Sequence, residues 1–214
     1  MPDKRFSHSD QQVLEQVMRL RRDVRGNRFI NKEVSDRDLE KIINAGSMAP
    51  SVGLSQPWEF IVIRSNSIKQ QIAENFEVEN TKAANAFKDT QRDAYIKLKL
   101  EGIIETPVNI AVFYKPSLKP VLGQTSMLEM GEYSVVCAVQ NMWLMARAMN
   151  IGVGWVSILN AEGVKKTLKA PQENKLVAYL CVGHVDEFLS TPELEDLKWE
   201  QRKPFESTIY QNTY

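Results

Sequence analysis

The spacing of apolar residues in the first fifty positions predicts two amphipathic helices. In the first, predicted over residues 9–20 with a serine as its cap, apolar side chains recur at the i, i+1, i+4, i+5 spacing of one helix face: Val13, Leu14, Val17 and Met18. A second helix is predicted to begin at Ser35, because a serine with Asp38 three residues later is typical of a helix N-terminus. Gly46 is expected to end it.

Four runs rich in β-branched and aromatic residues predict strands: 58–64, 108–114, 154–159 and 176–182. Between the first two lies a long charged stretch, residues 67–105, with helical character. The strands and helices do not follow a strict βαβ rhythm, and the chain shows neither an internal repeat nor a linker. We therefore predict one α+β domain over residues 1–214, a sheet with helices packed on it, rather than a Rossmann domain.

Residues 133–149 form the longest apolar stretch of the chain. No charged residue occurs from Tyr133 to Ala146, although the polar residues Gln140 and Asn141 interrupt the apolar run. A membrane-spanning helix needs about 20 mainly apolar residues, so we expect no membrane span. A helix that is apolar on nearly every side is otherwise buried in a core or in a subunit interface. The stretch therefore predicts a homodimer with this helix in its interface.

The charge balance and the cysteines limit the partners and the compartment. The 214 residues carry 27 basic and 27 acidic side chains, which leaves no excess for the basic face that nucleic acid requires. Any anionic ligand must be held by a local cluster of arginines. The polar N-terminus lacks the apolar segment of a signal peptide. Cys137 and Cys181 lie in apolar surroundings and are predicted to be buried thiols, so we expect a cytoplasmic protein.

A cluster of charges follows the first predicted helix, in the segment Arg21-Arg22-Asp23-Val24-Arg25. Three guanidinium groups within five residues repel one another unless an anion collects them, and arginine suits bidentate contact with phosphate. A solvated, charged helix end is the alternative, and taken by itself it is the more common case.

Two further segments are candidate cofactor loops. Residues 49–58, with two prolines, a glycine and two serines, join a helix to a strand in a loop of fixed shape, although a purely structural loop fits this composition equally well. The segment Gly152-Val-Gly154 is similar to a dinucleotide fingerprint, but it follows a helix and enters a strand, and Ser157 stands at the last glycine position. We therefore reject Rossmann-type binding and expect the glycines to lie close to a flat ring.

Side chains for metal or triad catalysis are scarce. His8 and His184 are the two histidines of the chain, and no group of potential ligands has metal-site spacing. We expect His8 to be exposed and His184 to be satisfied by hydrogen bonds, with no metal site. An enzyme that lacks these groups usually takes its chemistry from an organic cofactor.

Taken in this order, the segments resemble the nitroreductase-like flavoproteins over essentially the whole chain. The resemblance implies an α+β fold with a mixed central sheet flanked by helices, in a domain-intertwined homodimer that binds FMN at the subunit interface. The typical pattern of that family has Arg-Arg-Ser-x-Arg, a Pro-Ser-x-x-Asn-x-Gln-Pro-Trp loop and a Gly-x-Gly segment. This sequence departs from it at two positions, where Asp23 replaces the serine and Leu54 replaces the asparagine.

The two departures resemble one branch of the family, the 5,6-dimethylbenzimidazole synthases. Four segments agree in register with that branch: residues 21–25, 49–58, 99–103 and 152–159. The resemblance implies that reduced FMN is the substrate as well as the cofactor. It reacts with O2 and is fragmented to the lower ligand of vitamin B12. A flavin reductase, or another source of reduced FMN, is then the expected partner.

The resemblance also implies site residues. The phosphate and ribityl chain would be held by three arginines, Arg21, Arg22 and Arg25, with help from Arg202. The flavin would be contacted by Asp23, Val24, Ser51, Val153, Gly154 and, in the expected lid, Leu98. Catalytic roles are implied for Asp23 and Ser157.

The chemistry makes the two catalytic roles plausible, while rival functions stay open. Fragmentation moves protons on and off nitrogen and oxygen, which requires a positioned acid or base. We expect the arginine field to keep Asp23 ionised. Ser157 can donate and accept a hydrogen bond, although a strand serine bonded to the backbone is the alternative. The rival functions are an NAD(P)H-dependent nitroreductase or flavin reductase and a non-catalytic FMN-binding protein.

Overall fold

A computed structural model describes residues 3–214 and shows one four-stranded sheet with helices on both faces. The helices are α1 His8–Leu20, α2 Asp36–Ser47, α3 Asn66–Ala84, α4 Asp89–Ile96, α5 Met130–Ala148, α6 Ala161–Leu168 and α7 Glu193–Asp196. The strands are β1 Trp58–Ile63, β2 Val108–Tyr114, β3 Gly152–Val156 and β4 Lys175–Gly183. The predicted α+β class is confirmed.

The sheet has the strand order β1-β2-β4-β3, with β1 and β3 at its edges. All three strand pairs are antiparallel. A parallel bridge joins Asp23 to Val153 beside β3, so within residues 3–214 the mixed character expected of the sheet is limited to this bridge. The bridge is important for function, because it places the arginine segment along the β3 edge.

Alternating side chains of the central strands fill two cores. On β2, Ile110 and Val112 face the core under α2 and α5, whereas Ala111 and Phe113 face the core under α3 and α6. All four are essentially inaccessible to solvent. A strand covered on both faces reads as a continuous apolar run, which explains why the predicted bounds of β2 are confirmed.

Helix α1 has its cap two residues before the predicted one and buries little of its apolar face. Ser7 rather than Ser9 is the cap, because the Ser7 hydroxyl accepts from the Asp10 N–H and the Asp10 carboxylate accepts from the Ser7 N–H. Val13 and Leu14 are 60% and 54% exposed. An apolar helix face left in water is typical of an interface with another chain.

Helix α5 is buried on one side and exposed on the other. Val135, Val139 and Met142 belong to the core, but Tyr133 and Val136 are exposed. The predicted burial of one cysteine was wrong for the same reason, because Cys137 lies on the exposed side. Cys181 is buried as predicted, and burial raises the pKa of its thiol to about 12.

Strand β3 was predicted at residues 154–159 but lies earlier, at Gly152–Val156. Positions 152 and 154 of the strand both require glycine, because neighbouring groups leave no room for a Cβ. At Gly152 the obstructing group is the Val185 side chain. Ser157 therefore follows the strand instead of lying within it. Within residues 3–214, no helix is long and apolar enough to cross a membrane.

Candidate active site

A cavity beside the β3 edge gathers most of the predicted site residues. Three segments line it: residues 21–28 after α1, residues 98–100 after α4, and a C-terminal segment between residues 187 and 202. The predicted residues on its wall are Arg21, Arg22, Asp23, Val24, Arg25, Leu98 and Arg202. Residues separated by as much as 180 positions along the chain therefore form one site.

The cavity is built for an anion. Five arginines line it, against three carboxylates: Arg21, Arg22, Arg25, Arg28 and Arg202 face Asp23, Glu187 and Glu193. Burial, together with the charge of Arg202, lowers the pKa values of Arg21 and Arg22. Bringing an anion among these cations would relieve their mutual repulsion.

Two unpaired donors in this cluster agree with that interpretation. Within residues 3–214, the buried Nε atoms of Arg22 and Arg28 have no hydrogen-bond partner. The rest of the Arg22 guanidinium is committed, because it donates to the carbonyl oxygens of Arg19, Arg21 and Ser190. Arg22 thus ties the end of α1 to the C-terminal segment, and its free Nε adds to the positive wall of the cavity.

Arg21 and Arg202 have the freest cationic groups. The Arg21 guanidinium lies over the Trp143 ring, 4.5 Å from its centroid, a contact that does not use its N–H donors. Arg202 is 70% exposed and is held by Glu195, at 3.4 Å between Nε and Oε1. Both side chains can therefore turn donors towards a ligand.

Asp23 is fixed at the floor of the cavity. One carboxylate oxygen accepts from the Trp155 N–H at 3.0 Å, and the other forms an ion pair with Arg25. Burial raises the pKa of Asp23 above its ordinary value of 3.8, while Arg25, the Trp155 N–H and Arg21 oppose this shift. The sequence-based expectation counted only the arginine field, whereas burial is the larger effect. A carboxyl group with a raised pKa is suited to exchange protons closer to neutral pH.

The glycine segment supports Asp23 from behind instead of forming the cavity wall. Val153 is 1% exposed and belongs to the core, and its carbonyl oxygen accepts from the Val24 N–H at 3.0 Å. A Cβ on Gly154 would clash with the carbonyl oxygen of Val24. The close approach predicted for Gly154 thus occurs between two backbone segments of one chain. Contact of Val153 and Gly154 with a flavin ring stays a prediction.

The two predicted serines do not line this cavity. Ser157 is exposed just beyond β3, two residues after Trp155. Ser51 lies before β1, at the other edge of the sheet, and its hydroxyl accepts from the Gln56 N–H at 3.0 Å. Three strand spacings of about 4.8 Å separate the two edges, roughly 14 Å. One chain therefore does not bring Ser51 to the arginines.

Several residues of the cavity were not predicted from the sequence. Arg28 lines it and pairs with Glu187 at 2.9 Å, three residues after the predicted arginine segment. The C-terminal segment supplies an apolar part of the wall: Phe188, Leu189, Pro192 and Leu194. A basic residue near an arginine cluster was an available signal for Arg28, whereas no local pattern marks the apolar residues.

Comparisons with known proteins agree with this architecture. The nitroreductase family model matches residues 18–184. A 5,6-dimethylbenzimidazole synthase of Rhodospirillum rubrum is 38% identical over 201 residues, which cover 93% of this chain and 94% of that enzyme. Two solved structures share the fold. A BluB-like flavoprotein of Clostridium difficile 630 has a TM-score of 0.70 and 23% identity, over 94% of this chain and 99% of that one.

The second structure is oxidised iodotyrosine deiodinase bound to FMN and 3-iodo-L-tyrosine. It has a TM-score of 0.75 and 21% identity, and covers 94% of this chain and 100% of that one. At these identities the two structures establish the fold. The match to the family model and the similarity to the synthase establish family membership. The chain belongs to the nitroreductase family.

Proposed function

We propose that the chain is a 5,6-dimethylbenzimidazole synthase, an oxidoreductase that fragments reduced FMN with O2. The observation that carries this proposal is Asp23, a carboxyl group with a raised pKa fixed between an anion-binding arginine cluster and a strand edge. The 38% identity to a synthase over nearly the whole chain supports it. The product is the lower ligand of vitamin B12.

The residues of the cavity fit the phosphate of FMN. Arg21 and Arg202 would donate to it. Two further arginines of the wall, Arg22 and Arg28, each have a buried Nε without a hydrogen-bond partner among residues 3–214. Leu98 and Val24 add apolar surface to the same wall. The cavity therefore offers both the charge and the apolar surface that a flavin phosphate ester requires.

The site also needs a second copy of the chain. Ser51 lies at the opposite sheet edge from the arginines, so it would contact the flavin held by the partner subunit. The exposed apolar faces of α1 and α5 provide the surface for this contact. A two-fold homodimer would carry two such sites, because a self-complementary surface serves both subunits equally.

Reduced FMN, when bound, supplies the electrons that O2 takes up and the ring that is broken down. The chain would then have to move protons, and Asp23, held by the Trp155 N–H, would be the carboxyl group that does so. Its two oxygens are oriented by Trp155 and Arg25, which leaves it in one geometry throughout. Ser157, at the exposed end of β3, would donate or accept a hydrogen bond at the flavin.

The rival functions have less support. An ordinary nitroreductase or flavin reductase would need no acid at position 23, where the wider family pattern has serine. A non-catalytic FMN-binding protein would need the arginines but not an ion-paired carboxyl group whose pKa is raised. We also propose that a separate reductase supplies reduced FMN and that the protein works in the cytoplasm.

The test is direct. Chemically reduced FMN is mixed with the protein in air, and 5,6-dimethylbenzimidazole is sought by mass spectrometry. We expect product that depends on both O2 and protein, with reactions under nitrogen and without protein as controls. Absence of the product, together with rapid NADPH oxidation in the presence of nitroaromatic compounds, would assign the chain to the nitroreductases instead.

A further inference from the structure

The contacts of Arg25 differ from those of the other arginines in the cavity. One terminal nitrogen donates to the carbonyl oxygens of Leu100 and Trp155, at 3.0 and 3.3 Å, and the other is paired with Asp23. Three of the five N–H donors of the guanidinium are thus used within the chain. The side chain is 17% exposed, against 70% for Arg202. Arg25 is committed to its own chain, whereas Arg202 is largely exposed and is paired through its Nε with Glu195.

The segment after α4 holds Arg25 in this place. The Gly26 N–H donates to the carbonyl oxygen of Glu101 at 2.7 Å, next to the Arg25–Leu100 hydrogen bond. The two segments are so close that a Cβ on Gly26 would be 2.7 Å from side-chain atoms of Lys99 and Glu105. Two carbonyl oxygens from different segments therefore fix the plane of the guanidinium, and that plane presents it to Asp23.

We propose that Arg25 is a positioning residue for Asp23, which orients the carboxyl group and sustains its charge, and is not a ligand of the flavin phosphate. This inference rests on the proposed function for the role of Asp23, but the pairing itself is independent of any ligand. Without Arg25, the Asp23 carboxyl group would keep the Trp155 N–H as its hydrogen-bond donor but lose its ion pair. Burial would then favour the neutral form of the carboxyl group.

Other charges face Asp23 from each neighbouring segment. Its own segment carries Arg21, Arg22 and Arg28, and Lys99 comes from the segment after α4. The C-terminal segment contributes Glu187, Glu193 and Arg202. Lys99 is paired with Glu101 and Glu105, and Arg28 with Glu187. Arg25 is the cation of this group that forms an ion pair with Asp23.

The first test measures product yield against pH in wild type and Arg25→Gln. A nearby cation lowers the pKa of a carboxyl group by roughly 1–3 units, so removing it should move the acidic limb of the profile to higher pH by about that amount. Arg25→Lys, which keeps the charge, should move it less. Lys97→Gln removes an exposed cation next to the cavity-lining Leu98 without touching Asp23 and is the matched control. An unmoved limb in Arg25→Gln would overturn the proposal.

The second test separates positioning from phosphate binding. Riboflavin lacks the phosphate of FMN, so the dissociation constant of riboflavin divided by that of FMN reports contact with the phosphate. Arg25→Gln should leave this ratio within about twofold of wild type, whereas Arg202→Gln should lower it about tenfold. A fall in the ratio in Arg25→Gln as large as that in Arg202→Gln would make Arg25 a phosphate ligand.

The third test needs no flavin. A carboxyl group whose pKa is raised by folding lowers stability as the pH rises from the ordinary value of 3.8 to its folded pKa, so the stability advantage of Asp23→Asn over wild type should grow across that window and then level off. In an Arg25→Gln background this gap should open at the same pH but level off at a pH roughly 1–3 units higher, because only the folded pKa changes. Gaps that level off at the same pH would refute the pairing. A shifted levelling-off point in a protein that makes no dimethylbenzimidazole would refute the proposed function alone.

Discussion

The two sides of the molecule differ in how far their side chains find partners within the same chain. At the β3 edge, polar groups find partners inside the chain, as Asp23 does with Trp155 and Arg25. On the faces of α1 and α5, by contrast, large apolar side chains such as Leu14 and Val136 are in water. The β1 edge carries Ser51, and among residues 3–214 the cavity lined by the loop that follows it contains no arginine. This difference supports the proposal that one chain builds the anion-binding half of a site and that a second copy supplies the other half.

The largest effect is expected at the β3 edge, from a substitution of Asp23 that removes its ability to exchange protons. Asp23→Asn nearly preserves volume but cannot accept a proton, so product yield should fall by about 10²–10⁴. Reoxidation of reduced FMN should continue, because electron transfer to O2 needs no positioned base. Flavin absorbance and dimethylbenzimidazole yield are measured in parallel. Glu193→Gln removes another carboxylate from the same cavity and is the control.

Ser157→Ala should act in the same direction, with a smaller loss of product. Its hydroxyl is exposed beyond β3, so the substitution should leave stability unchanged. Full product yield from Asp23→Asn would remove that residue from the mechanism. It would also return the arginine segment to anion binding alone.

The second largest effect is expected from a substitution on the exposed apolar face of α5. Val136→Glu places a charge on the exposed apolar face of α5, and burying an unpaired charge in an interface costs several kcal/mol. We expect dissociation to a mass of about 24.5 kDa in light scattering, together with loss of FMN binding. Val78→Glu adds the same charge on α3, where the side chain is 55% exposed, and should leave the dimer intact. A wild-type protein that is monomeric at micromolar concentration would contradict the comparison itself.

A smaller effect is expected at Arg202, the cavity arginine that is 70% exposed. Arg202→Gln should weaken FMN binding about tenfold, the loss expected of one exposed charge-assisted contact, and leave riboflavin binding unchanged. Isothermal titration with both flavins measures this. Lys203→Gln, at the next and equally exposed position, controls for the general loss of charge. Equal weakening of both flavins would place Arg202 away from the phosphate.

The smallest effect lies in the loop of Ser51. Leu54 has a φ of +53° and is 81% exposed, a backbone conformation that costs a branched side chain about 1 kcal/mol relative to asparagine or glycine. Leu54→Asn should therefore raise the free energy of unfolding by roughly 0.5–1 kcal/mol in chemical denaturation. Leu118→Asn, at an exposed position without a positive φ, should give no gain. No gain at position 54 would show that the loop is unstrained.

Much of the fold was predictable because the central elements are buried on every side. The bounds of β2 and the cap of α2 at Ser35 follow from patterns that tertiary contacts reinforce. Errors occurred where the deciding contact was not part of the pattern. Ser9 was predicted as the cap of α1, although Ser7 has the reciprocal bond with Asp10. Gly152 was left outside the predicted strand, although it belongs to β3, where the Val185 side chain leaves no room for a Cβ.

The sequence by itself determined the element types, the arginine segment, the acid at position 23 and the family resemblance, because each is encoded by residues close together in the chain. Only the tertiary structure decided which of these residues meet. Arg25 turned to Asp23 because carbonyl oxygens of Leu100 and Trp155 receive it, and these lie 75 and 130 positions away. Ser51 separated from the arginines because strand order sends its loop to the far edge. Such distances are fixed by packing between segments, and no local pattern records them.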